Sequence, residues 1–178
     1  APEIALKKLR DKISAKKIDL NLEDALYELD MSPWNTKVIN NFRNKVKSFI
    51  PNKTKSGNYS LDLNESKLKT DVAKWRAELD NIPANTRQNK YDIQKDMFDQ
   101  VLNMDYTKAP DIFPVGYRDK AGILKGFSIL RPNLEYDSLE IANFAIKDKE
   151  NKLLRDLLRT NIDISEKLGF GGKIYGSD

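Results

Sequence analysis

The chain has 178 residues, of which 39% are hydrophobic and 33% charged, and its formal net charge is +4. It contains no cysteine and no histidine, which excludes disulfides, thiolate nucleophiles, serine–histidine triads and metal sites built on those residues. No apolar run approaches the roughly 20 residues that span a bilayer. We therefore expect a soluble chain without a signal peptide, for which a cytoplasmic location is favoured.

The first 104 residues show the periodicity of helices. Apolar residues recur every three or four positions in segments 4–18, 22–29, 32–49, 66–79 and 86–102. Ser32 followed by Pro33 is typical of a helix start, because a hydroxyl caps the first turn and proline fits its first position. The composition of segment 51–60 predicts a loop. Residues 1–104 are therefore predicted to form a region of four or five helices.

Strand signals begin after residue 105. Segments 112–118 and 123–131 are rich in β-branched and aromatic residues, and the DKAG sequence between them predicts a hairpin turn. Segment 139–147 is apolar on both faces, as expected of a central strand. An amphipathic helix over 150–168 ends at Gly169, and a short strand follows at 173–176. The prediction is an α+β fold, with a helical N-terminal region and then a small mixed sheet with one crossover helix over 105–178.

The segment from Phe113 to Tyr175 resembles the core of the GNAT-type N-acetyltransferases. FPVGYRDKAGILKGFSIL resembles the second and third strands of that family, and LEIANFAIKDKEN resembles the fourth. LLRDLLRTNIDISEKLGF followed by KIYG resembles the next helix and the fifth strand. In the family, a basic, glycine-rich loop between the fourth strand and the helix holds the pyrophosphate of coenzyme A.

The corresponding turn in this chain reads KDKENK (147–152) and contains no glycine. Glycine matters there because it lets backbone amides at a helix N-terminus approach a phosphate closely. If the cofactor binds, the resemblance implies Lys147, Lys149 and Lys152 as its contacts. It also implies Glu140 as a catalytic base, since some members use a strand carboxylate. The alternative is a core of this type that has lost the cofactor site.

A second candidate surface lies in the N-terminal half. Residues 31–61 include six basic residues and no acidic residue. Such a patch attracts phosphate backbones through counterion release, without sequence specificity. A solvated helix face followed by a polar loop is the alternative interpretation. The candidate nucleic-acid contacts are Lys37, Asn41, Arg43, Asn44, Lys45, Lys47, Lys53 and Lys55.

Three functional hypotheses follow. The favoured one is a non-catalytic binding or structural module with a degenerate acyltransferase-like core and no cofactor. Such a module is expected to act with a protein partner in a larger assembly of the effector or virion type. The alternatives are an active CoA-dependent N-acyltransferase, with acetyl-CoA as its cofactor, and a nucleic-acid-binding protein that uses the basic segment. No metal site is predicted.

Overall fold

The computed structural model describes residues 7, 25, 28–29, 31–32, 35–81, 88–105, 108–133, 136–147 and 151–176. The predicted helices at 4–18 and 22–29 lie almost wholly outside the described residues. Over the described part, the α+β class is confirmed by four helices and one five-stranded mixed sheet. In chain order the elements are α1 (Thr36–Lys47), β1 (Ser60–Asp62), α2 (Glu65–Asp80), α3 (Gln88–Leu102), β2 (Phe113–Arg118), β3 (Leu124–Asn133), β4 (Ser138–Ile146), α4 (Asn151–Lys167) and β5 (Ile174–Gly176).

The strands lie in the order β1-β2-β3-β4-β5. The first four are antiparallel neighbours, whereas β4 and β5 are parallel and are connected through α4. The predicted β2–β3 turn forms because the Asp119 carboxylate accepts hydrogen bonds from the amides of Ala121 (2.9 Å) and Ile123 (3.0 Å). Gly122 supplies the left-handed backbone at φ +81°, which glycine adopts without steric cost.

Strand β1 is not among the predicted elements: the predicted loop ends at Ser60, and no element is predicted for residues 61–65. Its pairing with β2 runs from Ser60 opposite Arg118 to Asp62 opposite Gly116. Three residues are too few for a period of two to be visible in the sequence. Because β1 belongs to the first 104 residues, both predicted regions contribute to one sheet, and the boundary at 104/105 stays a prediction.

Helices cover both faces of the sheet. On one face α1 and α4 pack against β2, β3 and β4; on the other, α2 and α3 pack against β3 and β4. Burial of each large apolar side chain contributes about 1.5–3 kcal/mol. The first layer includes Phe42, Val46, Val115, Leu130, Leu153 and Leu157, and the second includes Leu68, Trp75, Phe98, Val101 and Phe127.

A bulge in β4 changes which face its side chains cover. Ile129 pairs with Asn143 and Leu130 pairs with Ile141, so Ala142 is an extra residue in β4. Before the bulge, Ile141 belongs to the α1/α4 layer. After it, the Asn143 amide faces α3, where it donates to the Gln100 side chain at 3.0 Å. The alternation shifts by one residue, and so both faces of β4 carry buried residues.

None of the helices in the described part of the chain is both long enough and apolar enough to cross a bilayer.

Candidate functional site

Helix α1 begins later than its sequence pattern predicted. Its N-cap is Asn35, whose side-chain oxygen accepts from the amides of Lys37 (2.9 Å) and Val38 (3.3 Å). Asparagine is among the best N-cap residues because it satisfies amides that have no partner within the helix. The predicted cap, Ser32, lies before this start.

The polar face of α1 has two sides. Lys37, Asn41 and Lys45 follow one another at intervals of four residues and form one side; Lys37 and Asn41 are exposed, and Lys45 is half-buried. Asn44 and Lys47 form the other side, with Asn44 exposed and Lys47 half-buried. These five predicted nucleic-acid contacts therefore share one helix surface opposite its apolar face.

The sequence predicts Arg43 as a surface contact, but the structure buries this residue, with only 2% of its surface exposed. Its guanidinium forms an ion pair with Glu65 and donates to the carbonyls of Pro110 and Ile112. It also lies 4.8 Å from the ring centroid of Phe113. Arg43 thus joins α1 to α2 and β2, and Glu65 balances its charge there.

The predicted contacts in the following loop divide in a similar way. Lys53 is exposed. The Lys55 ammonium lies 3.2 Å from the Asp163 carboxylate of α4, and the neighbouring Ser56 hydroxyl donates to Asp156 at 2.6 Å. The loop therefore contacts α4 through these two side chains, and Lys55 lies beside a carboxylate there.

A cleft of about 650 Å³ adjoins the polar face of α1. We call it the α1–α2 cleft, because its walls are α1, the start of α2 and the end of α3. It was not foreseen, because sequence periodicity does not show which helix ends meet. Its lining residues are Asn40, Arg43, Asn44, Lys47, Leu63, Asn64, Glu65, Ser66, Lys69, Leu102, Asn103, Met104 and Asp105.

Two lysines supply positive charge to the cleft. Burial lowers the pKa of the Lys47 ammonium below its usual value, and the positive charge of Arg43 lowers it further. The Lys69 ammonium is held by the carbonyl oxygen of Met104 at 2.7 Å. Among the described residues, no ion pair links either lysine to a carboxylate. An anion in the cleft would therefore lie near two ammonium groups, those of Lys47 and Lys69, that form no ion pair with a described carboxylate.

The predicted cofactor turn is only partly described. The Lys147 ammonium lies 3.0 Å from the Glu78 carboxylate of α2 and 5.9 Å from the ring centroid of Trp75. Lys152 is exposed near the start of α4, on the other face of the sheet. Lys149 lies outside the described residues. The Lys147 ammonium therefore contacts α2, whereas Lys152 belongs to α4.

Glu140, the predicted catalytic base, lies beside Tyr175 in the parallel β4–β5 pair. The Tyr175 hydroxyl donates to the Glu140 carboxylate at 3.3 Å and accepts from the Asn133 amide at 2.5 Å. Burial raises the pKa of Tyr175, and the negative charge of Glu140 acts in the same direction. The sequence signal for this pair was weak, because neither residue belongs to a recognisable catalytic motif.

Comparison with known proteins adds no relative. No protein-family model, curated protein or solved structure matches this chain.

Proposed function

We propose that this chain is a non-catalytic binding module on an acyltransferase-like core, and that it binds nucleic acid through the polar face of α1. One observation carries the proposal. Lys37, Asn41, Asn44, Lys45 and Lys47 share one helix surface, on which Lys45 and Lys47 are half-buried and the others exposed. They lie within a segment of 31 residues that lacks any acid, although the Asn41 amide donates to the Glu28 carboxylate at 3.5 Å.

This surface suits phosphate better than it suits an acidic protein patch of fixed shape. Lysines on an exposed helix face contact phosphates without a defined geometry, and the release of counterions drives such binding. Asparagine side chains both donate and accept, so they can contact sugar, phosphate or base edges. Arg43 is buried and Lys55 is paired with Asp163. The proposed surface therefore has fewer contact residues than the sequence predicted, and they lie on α1.

The test is reversal of charge on α1. Replacement of Lys37 and Lys45 by glutamate should weaken the binding of a mixed-sequence oligonucleotide. For a single strand, log K falls as log salt rises, and this dependence should become shallower by about 1.4 in slope, because two phosphate contacts are lost. The matched control replaces Lys74 and Lys120, which are both exposed, and changes the net charge equally. Equal effects from the two double variants, or no binding by the wild type, would contradict the proposal.

CoA-dependent acyl transfer is the second candidate, and a specific observation favours it. Strands β2 to β5 and helix α4 follow the order that the resemblance implies, and β4 and β5 are parallel around α4. A carboxylate and a phenol, Glu140 and Tyr175, meet across this pair. Against the candidate, Lys147 is engaged by Glu78 and the turn lacks glycine.

Acetyl-CoA separates the two candidates. The binding-module proposal predicts that the wild type transfers no acetyl group from acetyl-CoA. Under acyl transfer, acetyl-CoA should stabilise the protein, and Glu140→Gln should abolish turnover while the circular dichroism spectrum stays unchanged. Turnover that survives this substitution would remove Glu140 from the mechanism.

A further inference from the structure

We infer that the α1–α2 cleft is a nucleotide subsite, which receives one unstacked purine nucleotide of a single strand bound along α1. This inference rests on the proposed function, because Asn44 and Lys47 belong both to the polar face of α1 and to the cleft. A volume of about 650 Å³ falls within the range of about 300–1,000 Å³ that is usual for small-molecule sites.

The phosphate end is defined by the two cleft lysines. Lys47 comes from the last turn of α1, and Lys69 comes from the second turn of α2. The hydrogen bond from Lys69 to the Met104 carbonyl fixes its ammonium at the cleft wall. Two acidic residues also line the cleft: Glu65 is engaged by Arg43, and Asp105 is exposed. Against Arg43, Lys47 and Lys69 they leave a formal net charge of +1, which favours a phosphate over a neutral group.

The remaining lining suits a heterocyclic base. Leu63, Leu102 and Met104 are half-buried and offer an apolar surface for the face of a ring. Asn40 and Asn103 are exposed in the lining, and their amides can pair with a base edge. Asparagine matches the donor and acceptor pattern of adenine in particular. Phosphate charge, an apolar ring and a polar edge occur together in a purine nucleotide.

Entry into such a cleft requires a base that is not paired. Proteins that recognise single strands hold unstacked bases in pockets and track the backbone with cations. Lys37 and Lys45 on α1 would follow the backbone, while the cleft holds one base. The inference therefore adds a preference for single strands to the proposed function.

The experiment compares adenosine monophosphate and a short adenine-containing single strand as probes. Ser66→Trp fills the cleft without a change in charge, since Ser66 is exposed and lines it. Ala77→Trp is the matched control, because Ala77 is exposed on the same helix about 16 Å further along at 1.5 Å per residue. Calorimetric titration should show that Ser66→Trp weakens binding of the monophosphate at least about tenfold, whereas Ala77→Trp and the Lys37/Lys45 charge reversal leave it unchanged.

The outcomes separate the two claims. If the wild type does not bind the monophosphate, or if Ser66→Trp and Ala77→Trp bind it equally, the subsite is overturned. The α1 surface then still stands, provided that the strand binds and the charge reversal weakens its binding. If the monophosphate binds in a cleft-dependent way but the strand does not bind, the α1 proposal fails and the cleft is a site for free nucleotides. Lys47→Met should weaken the monophosphate more than adenosine, and equal losses would remove the phosphate role of Lys47.

Discussion

The ion pair between Arg43 and Glu65 allows the sharpest test of the structure. The arginine side chain is 3% exposed and the glutamate side chain 17% exposed. Glu65→Gln keeps the shape of the side chain but leaves the guanidinium buried without its carboxylate. Removal of one partner from a buried pair costs about 3–5 kcal/mol. Because Glu65 is partly accessible and Arg43 keeps two carbonyl acceptors, we expect a loss near the lower end, about 3 kcal/mol.

The assay is urea denaturation followed by tryptophan fluorescence, together with thermal melting. A loss of about 3 kcal/mol should lower Tm by roughly 6–12 °C in a chain of this size. The matched control is Asp163→Asn. Asp163 is 18% exposed, close to Glu65, but its partner Lys55 is 66% exposed, so its ion pair should contribute only about 0–1 kcal/mol.

The comparison isolates the burial of the cation, because the two carboxylates are almost equally accessible. Glu65 is also the first residue of α2, where its charge stabilises the helix by about 0.3–1 kcal/mol. This term is too small to account for the expected difference. If Glu65→Gln and Asp163→Asn lower the free energy of unfolding equally, Arg43 is not the buried clamp that the structure describes.

Three further predictions concern packing and ionisation. Gly126→Ala should destabilise the fold by about 1–3 kcal/mol, because a Cβ there would lie 2.8 Å from a carbonyl oxygen of β4. In the same denaturation assay, Gly176→Ala should be nearly neutral, since nothing lies within 4 Å of its Cβ position. The lowered pKa of Lys47 means that the unfolded chain binds this proton more readily, so stability should rise with pH between that pKa and 10.5. Lys47→Met should therefore be more stable than the wild type at neutral pH, with a difference in unfolding free energy that shrinks toward pH 10.5, and a constant difference would contradict the assignment. Glu140→Gln should lower the pKa of Tyr175, as measured by ultraviolet titration against Tyr175→Phe, and an unchanged titration would show that the two side chains do not meet.

Local physical chemistry made much of this fold predictable. The apolar rows of α2 and α4 predicted their spans to within a residue or two, because one face of each helix must be buried. The β2–β3 hairpin was predictable from Asp119 and Gly122, since turn geometry depends on their own side chain and backbone. These features need no information about distant parts of the chain.

The candidate site was less predictable, because its properties depend on which elements meet. Arg43 lies among the basic residues of one helix. Nothing in that helix shows that the Arg43 guanidinium will be buried in an ion pair with Glu65 of α2. The α1–α2 cleft joins residues from three helices and so has no contiguous signature. Likewise, no motif indicated that Lys147 would turn toward Glu78.

The sequence by itself determined the α+β class, most of the helices and strands in the described part of the chain, and the chemistries that a chain without cysteine or histidine excludes. Periodicity, turn chemistry and side-chain inventory are local properties, and they can be seen without the fold. Only the tertiary structure decided that β1 is an edge strand of the sheet, paired with β2, and that the Arg43 side chain is buried. The physical reason is that burial and ion pairing are relations between distant segments, and the free energy of a charge depends on the partner that folding places beside it.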